Sequence, residues 1–502
     1  MEIKLKHLIL FISFFVIVKI AFFYLTSAEW GDSYRFFKAG EYLSHFSYPL
    51  DEKRLPLFPF VLAPAFFINV NPLLWGRLVV LVLSSLCLIL TFKLGKLLLK
   101  NEKVAFIGMI FTAFSPVFFY WTGKVYAEVL FTFLVLLSFV LYFGYKGKHK
   151  NLLLGLMCGL AFMARFEGFL LFFAILFGLF FVRRKGVSNF KDLLLFIFSF
   201  SFISAPYFIL RFINLNTVSS SYFLEPAQFS FSIVAVISFF ASFVFLFGFV
   251  PFIDFSLLKR TFNNFNKKNF LTYSPLFIFI GLSLMLAFIW QAAIPRLFVS
   301  IIPILSLGLA KMIIEGPKIN FKNLTFYVGM WGVFFLGRFY LRLPFLVSGK
   351  LVLVPLLLSI AYMIFLLFKK QSYTYLLIFA GVFSSIFVTY FFKNVYKTVY
   401  QATIFAQTLE GKVAYSDETG VTAWYLKGSK GLFYDNDFSD EGEYKWLIEN
   451  DVSYIIDTNE HNEGSKLEVF KKEQYGSRFK IVKKFKSNIG VSDTFSVIYE
   501  VF

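Results

Sequence analysis

Apolar residues in this chain form long runs, whereas a water-soluble fold interleaves them with polar positions. From Leu8 onward, runs of about 20 residues recur, the length that a helix rising 1.5 Å per residue needs to cross a hydrocarbon core about 30 Å thick. One buried helix of a soluble protein could account for one such run, but not for a dozen in series. The pattern predicts an all-α polytopic transmembrane bundle of about 13 spans. The predicted spans cover residues 8–25, 77–98, 104–121, 126–143, 151–166, 168–182, 192–211, 230–251, 273–290, 297–314, 323–341, 351–368 and 373–392.

One further apolar stretch, Leu55–Ile68, is interrupted by Pro56, Pro59 and Pro64. Proline removes backbone donors that lipid cannot replace. We therefore expect this stretch to be a juxtamembrane or re-entrant segment within a first outer loop, residues 26–76.

The distribution of charge orients the spans. If the N-terminus with Lys4 and Lys6 is cytoplasmic, most of the basic residues before position 393 fall in cytoplasmic loops, as the positive-inside rule requires. These clusters lie within residues 93–103, 146–150, 183–191, 259–268, 311–322 and 369–370. The odd number of spans then predicts a cell-membrane protein whose C-terminal part is extracytoplasmic.

Composition agrees with this arrangement. The 502 residues are 58% hydrophobic and 16% charged, and 76 of them are phenylalanine. The net charge of +19 belongs mainly to the loops that face lipid headgroups. Nucleic acid is not an expected partner, because no soluble segment combines basic residues with a platform of aromatic ones. Cys87 and Cys158 lie in apolar runs, where a free thiol behaves as a small hydrophobe.

The pattern changes after residue 392. Residues 393–502 carry nearly balanced charge and turn signals such as Lys427-Gly428-Ser429. Short strands are predicted at Val413–Tyr415, Tyr454–Asp457, Phe479–Phe485 and Thr494–Phe502, and helices at Tyr444–Glu449 and Lys466–Tyr475. We therefore expect a transmembrane domain at 1–392 and a small C-terminal α/β domain at 393–502, outside the membrane.

The first outer loop carries the clearest candidate for chemistry. Asp32 lies where a helix cap would, and Tyr34, Phe37 and Tyr42 follow at helical spacing, which predicts an amphipathic helix at the interface. Two interpretations of Asp32 remain open at this point. The residue is either a plain helix cap or a carboxylate with a functional role.

Charged residues also lie at three other predicted outer turns. Lys124 and Glu128 are four residues apart at a span start, Arg165 and Glu167 share a tight turn, and Arg296 follows a short outer turn. Ionisable residues so close to the membrane are costly to place and are candidates for function. The alternatives are arginines that anchor helix ends to headgroups and a simple Lys124–Glu128 pair.

The order of these motifs resembles one family of membrane enzymes. The motifs are Trp30-Gly31-Asp32, the proline-rich Arg54–Phe60, Arg77, Tyr126–Phe131, Arg165–Gly168 and Arg296–Pro303. Together they resemble the GT-C glycosyltransferases, which take sugars from polyprenyl-phosphate carriers. The chain is most similar to the branch that contains the protein O-mannosyltransferases and the lipid A aminoarabinose transferases. Many relatives have a second acidic residue directly after the first aspartate, whereas this chain has Ser33.

The resemblance implies an inverting transfer of a sugar, mannose-like or related, from a polyprenyl-phosphate donor at the outer membrane face. It implies Asp32 as the general base that takes the proton of the acceptor hydroxyl. Arg296 and Arg165, with Lys124 as a weaker third, would bind the donor phosphate. Glu128, Glu167 and Tyr34 would orient these cations or the acceptor, which could be a lipid, a glycan or a protein.

No cofactor is expected from this scheme. A divalent metal is not required, and His45 in the first outer loop has no second histidine at ligand spacing. The rival hypothesis is a transporter or lipid-carrier flippase. It would predict charges in mid-span and inverted repeats, but mid-span charges such as Lys19 are few and no repeat is visible.

Overall fold

The fold is known from a computed structural model, which describes the chain in segments. These are residues 4–49, 52, 54–183, 190–213, 267–289, 296–315, 325, 328–329, 331–332, 336, 353–368, 374–416, 420–426, 428–434, 440–460, 469–471, 473–489 and 492–502. The chain forms two compact units. The first comprises Met1–Lys19 and Tyr42–Val388, and the second comprises Ile20–Glu41 and Thr389–Phe502.

Up to residue 391, the regular secondary structure in the described residues is helical. They are α1 (Leu5–Leu25), α2 (Gly31–Ser44), α3 (Leu57–Leu62), α4 (Pro64–Phe67), α5 (Pro72–Leu99), α6 (Glu102–Ala113), α7 (Pro116–Trp121), α8 (Ala127–Gly144), α9 (Lys150–Ala164), α10 (Gly168–Arg183), α11 (Phe190–Ile213), α12 (Lys267–Ile289), α13 (Ile302–Glu315), α14 (Leu353–Phe368) and α15 (Thr374–Phe391). Local chemistry sets their ends. The Asn71 side chain, for example, accepts hydrogen bonds from the N–H groups of Leu73 and Leu74, and Pro72 begins α5.

Five of the described helices are long and apolar enough to cross a membrane. They are Leu5–Leu25, Pro72–Leu99, Ala127–Gly144, Phe190–Ile209 and Thr374–Phe391. The predicted span 104–121 consists of two helices, α6 and α7, because Pro116 has no N–H and begins a new helix after Ser115. The predicted spans 230–251 and, for the most part, 323–341 lie outside the described residues, so the count of 13 stays a prediction.

Close packing in the first unit depends on small residues. On α9, a Cβ added to Gly155 would overlap the carbonyl oxygen of Phe196 and Ser199 Oγ of α11. A Cβ at Gly159, one turn later, would lie 2.7 Å from Ile203 Cβ. Two glycines four residues apart let helix backbones approach closely, as is common between membrane helices.

The C-terminal part of the second unit contains a five-stranded mixed sheet. Its strands are β1 (Lys412–Tyr415), β2 (Gly431–Phe433), β3 (Val452–Thr458), β4 (Phe479–Ile489) and β5 (Ser492–Val501), in the order β2-β1-β3-β5-β4. Strand β1 pairs in parallel with β2 and β3, and β5 pairs antiparallel with β3 and β4. The helices are α16 (Lys397–Ala406), α17 (Val421–Tyr425) and α18 (Asp440–Glu449). This confirms the predicted small α/β domain.

Most predicted elements of this domain are present, but one was wrong in type and some observed elements were missed. Strand β2 was missed because three residues are too few to show a pattern. Helices α16 and α17 were missed as well. The predicted helix Lys466–Tyr475 is wrong in type over its described residues, which form 3₁₀ turns at Val469–Lys471 and Glu473–Arg478.

Candidate active site

Three charged residues from distant parts of the sequence meet in the first unit. Glu128 lies in the first turn of α8, a helix that begins directly after the extended residue Tyr126. Arg165 has an extended backbone (φ −153°, ψ 145°) at the end of α9, and Arg296 begins the 3₁₀ turn Arg296–Phe298. Three separate elements of the chain therefore bring these residues together.

Glu128 is the centre of this cluster. Its Oε1 atom accepts a hydrogen bond from Arg165 Nη1 and lies 2.9 Å from Arg296 Nε in a second ion pair. Arg165 also donates through Nε to Glu167 Oε1 at 2.9 Å, and its Nη2 bonds to the same oxygen. One oxygen of Glu128 thus pairs with both guanidinium groups, while Glu167 fixes the plane of the Arg165 guanidinium. The two arginines and two glutamates have no net formal charge.

Burial strengthens these interactions. The Glu128 side chain is 3% exposed, and those of Arg165 and Arg296 are 17% and 23% exposed. Arginine is not deprotonated in proteins, so both guanidinium groups are charged at physiological pH.

Aromatic rings hold the second arginine. The guanidinium carbon of Arg296 lies 5.2 Å from the ring centroid of Tyr126 and 5.7 Å from that of Trp121. Planar guanidinium groups are attracted to the faces of such rings. Sequence reasoning selected Arg296 but missed Trp121, because nothing in the sequence connects the two positions.

The charged cluster of Glu128, Arg165, Glu167 and Arg296 lines a pocket. Its open space, including the part continuous with solvent, is about 310 Å³. The lining residues are Glu128, Phe131, Arg165, Glu167, Leu170, Ser283, Leu286, Arg296, Leu297, Val299 and Ser300. Two guanidinium groups can bind an anion, and the apolar side chains can accommodate a hydrocarbon group attached to it. Ser283 and Ser300 were missed from the sequence, where an isolated serine in an apolar run carries no signal.

Two buried lysines lie near α7. Lys19, the mid-span charge of α1, donates from Nζ to the carbonyl oxygen of Phe119 and to Thr122 Oγ1 at 3.1 Å. It therefore satisfies the C-terminal end of α7, which explains how a lysine is tolerated there. Lys124 is 4% exposed, with its Nζ 5.5 Å from the ring centroid of Tyr120. Lys124 is not among the residues that line the pocket, and its contact with a donor phosphate stays a prediction.

Asp32 and Tyr34 belong to the second unit. Asp32 is half-buried in the first turn of α2, the helix that the sequence predicted. The Tyr34 hydroxyl accepts a hydrogen bond from the Glu29 N–H at 3.1 Å, and its ring packs against Phe37 and Trp424. Tyr34 is thus a buried packing residue, and its role toward an acceptor stays a prediction. Among the residues that the structure describes, no group of three or more His, Cys, Asp or Glu is placed to hold a metal ion.

Comparisons with known proteins bear on this arrangement. Residues 53–208 match the model of the family described as dolichyl-phosphate-mannose-protein mannosyltransferase. The structure of ArnT from Cupriavidus metallidurans bound to undecaprenyl phosphate is similar over 99% of this chain and 98% of that chain, with a TM-score of 0.62 and 10% identity. Its apo state gives a TM-score of 0.58 and 11% identity, and covers 97% of both chains. No curated protein sequence matches the chain.

The likeness to the two ArnT structures shows the fold. Together with the family match, it indicates a membrane glycosyltransferase of the GT-C type. Within that class, the resemblance predicted from the sequence, to the branch of ArnT and the protein mannosyltransferases, is confirmed. The matched residues 53–208 include Lys124, Glu128, Arg165 and Glu167.

Proposed function

We propose that this protein transfers a sugar, mannose-like or related, from a polyprenyl-phosphate carrier to an acceptor at the outer face of the membrane. The observation that carries the proposal is the pocket in which Arg165 and Arg296 converge on Glu128. A similar fold, that of ArnT from Cupriavidus metallidurans, has been solved with undecaprenyl phosphate bound. A phosphate attached to a hydrocarbon chain matches the two guanidinium groups and the apolar lining of this pocket.

The arginines bind the phosphate of the donor. Each guanidinium offers paired donors that match phosphate oxygens, and burial increases the strength of such bonds. Since Glu128 already holds both groups, the phosphate enters a site whose cations are positioned in advance. The negative charge on the phosphate grows as the bond to the sugar breaks, so these contacts stabilise the transition state more than the ground state.

Asp32 acts as the general base in this proposal. The acceptor hydroxyl loses its proton to the Asp32 carboxylate as its oxygen attacks the anomeric carbon from the side opposite the phosphate. The carbon–oxygen bond to the carrier breaks, and the carrier phosphate leaves with the electron pair. The sugar is thereby transferred with inversion. Polyprenyl phosphate is a good leaving group, so no general acid is needed.

Purified protein incubated with defined polyprenyl-phosphate sugars provides the test. We expect release of free polyprenyl phosphate, together with a glycosylated acceptor. A flippase would move the lipid between leaflets of a vesicle and release no free carrier. Lipid movement without carrier release, for every donor tried, would overturn the proposal.

A further inference from the structure

The residues on either side of Asp32 pack against the C-terminal part of the second unit. Before Asp32, the ring of Trp30 lies 5.8 Å from that of Tyr396, which precedes α16. After Asp32, the ring of Tyr34 lies 6.4 Å from that of Trp424 on α17. The backbone that carries Asp32 is therefore fixed at two points by residues far along the sequence.

The closest approach is made by a glycine. Gly420 caps α17 with φ +74°, a conformation that favours glycine. A Cβ at this position would lie 3.0 Å from the carbonyl oxygen of Gly31 and 3.5 Å from Tyr34 Cβ. The start of α17 therefore lies against the backbone of the residue immediately before Asp32.

Helix α17 is itself held in place. Thr422 Oγ1 lies 3.2 Å from Thr403 Oγ1 of α16, and Gln407 Nε2 donates to the carbonyl oxygen of Tyr425 at 2.7 Å. The rings of Tyr400 and Tyr425 are 5.3 Å apart. A short helix with so many fixed contacts is a rigid support rather than a mobile loop.

We infer that Gly420–Tyr425 is a positioning platform for the general base, with Gly420 and Trp424 as positioning residues that act through Asp32. The inference rests on the proposed function, in which Asp32 takes the acceptor proton. A carboxylate displaced by about 1 Å can cost about 10²-fold in rate. Donor binding depends on Arg165 and Arg296 instead. The C-terminal domain would therefore contribute to the chemical step and not to donor capture.

The experiment compares two glycine variants in the full-length protein. Gly420 and Gly428 both have positive φ, but a Cβ at Gly428 would meet no described atom within 4 Å. Gly420→Ala and Gly428→Ala therefore share a similar backbone strain and differ in the contact with α2. We expect Gly420→Ala to lower kcat about 10- to 100-fold with the donor KM unchanged, and Gly428→Ala to keep the turnover of the unmodified protein.

A second pair covers the case in which Gly420→Ala fails to fold. Trp424→Leu removes the ring that contacts Tyr34 and Phe37. Trp446→Leu removes a tryptophan of the same domain that packs on Tyr434 instead. Trp424→Leu should lower kcat per folded molecule, and Trp446→Leu should not. Equal effects of the two tryptophan variants would overturn the platform.

A double variant shows whether the platform acts through Asp32. In an Asp32→Asn background, adding Gly420→Ala or Trp424→Leu should cause no further loss of turnover, since the base is already gone. The same fold-loss with and without Asp32 would overturn the inference but leave the proposed function intact. Normal turnover of Asp32→Asn alone would instead overturn the assignment of the base, and the platform with it.

Discussion

Arg296 takes part in more kinds of contact than any simple headgroup anchor would need. It pairs with Glu128, lies over Tyr126 and Trp121, and lines the pocket. An arginine that anchors a helix end would point to solvent or lipid headgroups, and its environment would be less specific. These contacts favour the interpretation of Arg296 as a phosphate ligand.

We therefore expect graded damage from substitution of Arg296. Lysine keeps the charge but loses the planar pair of donors and the stacking, so Arg296→Lys should be partly active. Arg296→Ala should lose about 10²- to 10³-fold in kcat, as other losses of a transition-state donor do. The measurement is release of polyprenyl phosphate per folded molecule. Arg478→Ala is the matched control, because Arg478 stacks at 4.4 Å on Tyr444 in the other unit.

Asp32 allows a second test at the level of one residue. Asp32→Asn has nearly the same shape but cannot accept the proton. Turnover should fall about 10²- to 10⁴-fold, while binding of the donor lipid stays close to normal, because the arginines are unchanged. Near-normal turnover would identify Asp32 as a helix cap, and the base would then have to be sought among other carboxylates, such as Glu29.

The charged residues of the pocket could be recognised as candidates individually from the sequence, but their contacts with one another could not. Glu128, Arg165 and Arg296 stand out as charges next to apolar runs, where each is costly to place. The sequence could not show that one oxygen of Glu128 pairs with both arginines. This contact depends on how α8, α9 and the 3₁₀ turn pack. Trp121 and Ser283 carry no charge, so neither stands out in an apolar run as these charged residues do.

Helices were more predictable than residue contacts, because an apolar run of membrane length must satisfy its backbone hydrogen bonds internally and so forms a helix. Helices α1, α5 and α8 lie close to where the runs placed them. Breaks within a run were harder to locate. The sequence shows Pro116, but a proline inside a membrane helix can also be accommodated as a kink, as in α11 at Pro206.

The contact of α9 with α11 gives a prediction at the level of the helix. At Gly155 an added Cβ would meet the backbone oxygen of Phe196, which cannot rotate away. We expect Gly155→Ala to destabilise the protein by about 1–3 kcal/mol, as overpacking typically does. Thermal unfolding in detergent would measure the loss. Gly281→Ala on α12 is the control, because its Cβ would meet no described atom within 4 Å. An equal loss for both variants would show that the α9–α11 contact is not specific.

At the level of the whole molecule, the division of the chain into two compact units could not be predicted in full from the pattern along the sequence. Composition separates residues 393–502 from the apolar part, and a five-stranded sheet lies within them. However, Ile20–Glu41 belongs to the same compact unit as Thr389–Phe502. Nothing in the first outer loop indicates this, since aromatic residues such as Tyr34 serve equally well at a membrane interface. The candidate base therefore lies in the unit of the C-terminal domain.

The connection between α8 and α9 predicts which side of the membrane the pocket faces. Glu128 lies in the first turn of α8 and Arg165 follows α9, whereas residues 145–149 join the other ends of the two helices. Lys146 and Lys148 lie in this connection, and the positive-inside rule places it in the cytoplasm. The two charged ends should then be extracytoplasmic. A reporter active only in the cytoplasm should work when inserted at 145–149 and be silent at the C-terminus. The reverse result would put Glu128 and Arg165 on the cytoplasmic side, where an outer-face donor could not reach them.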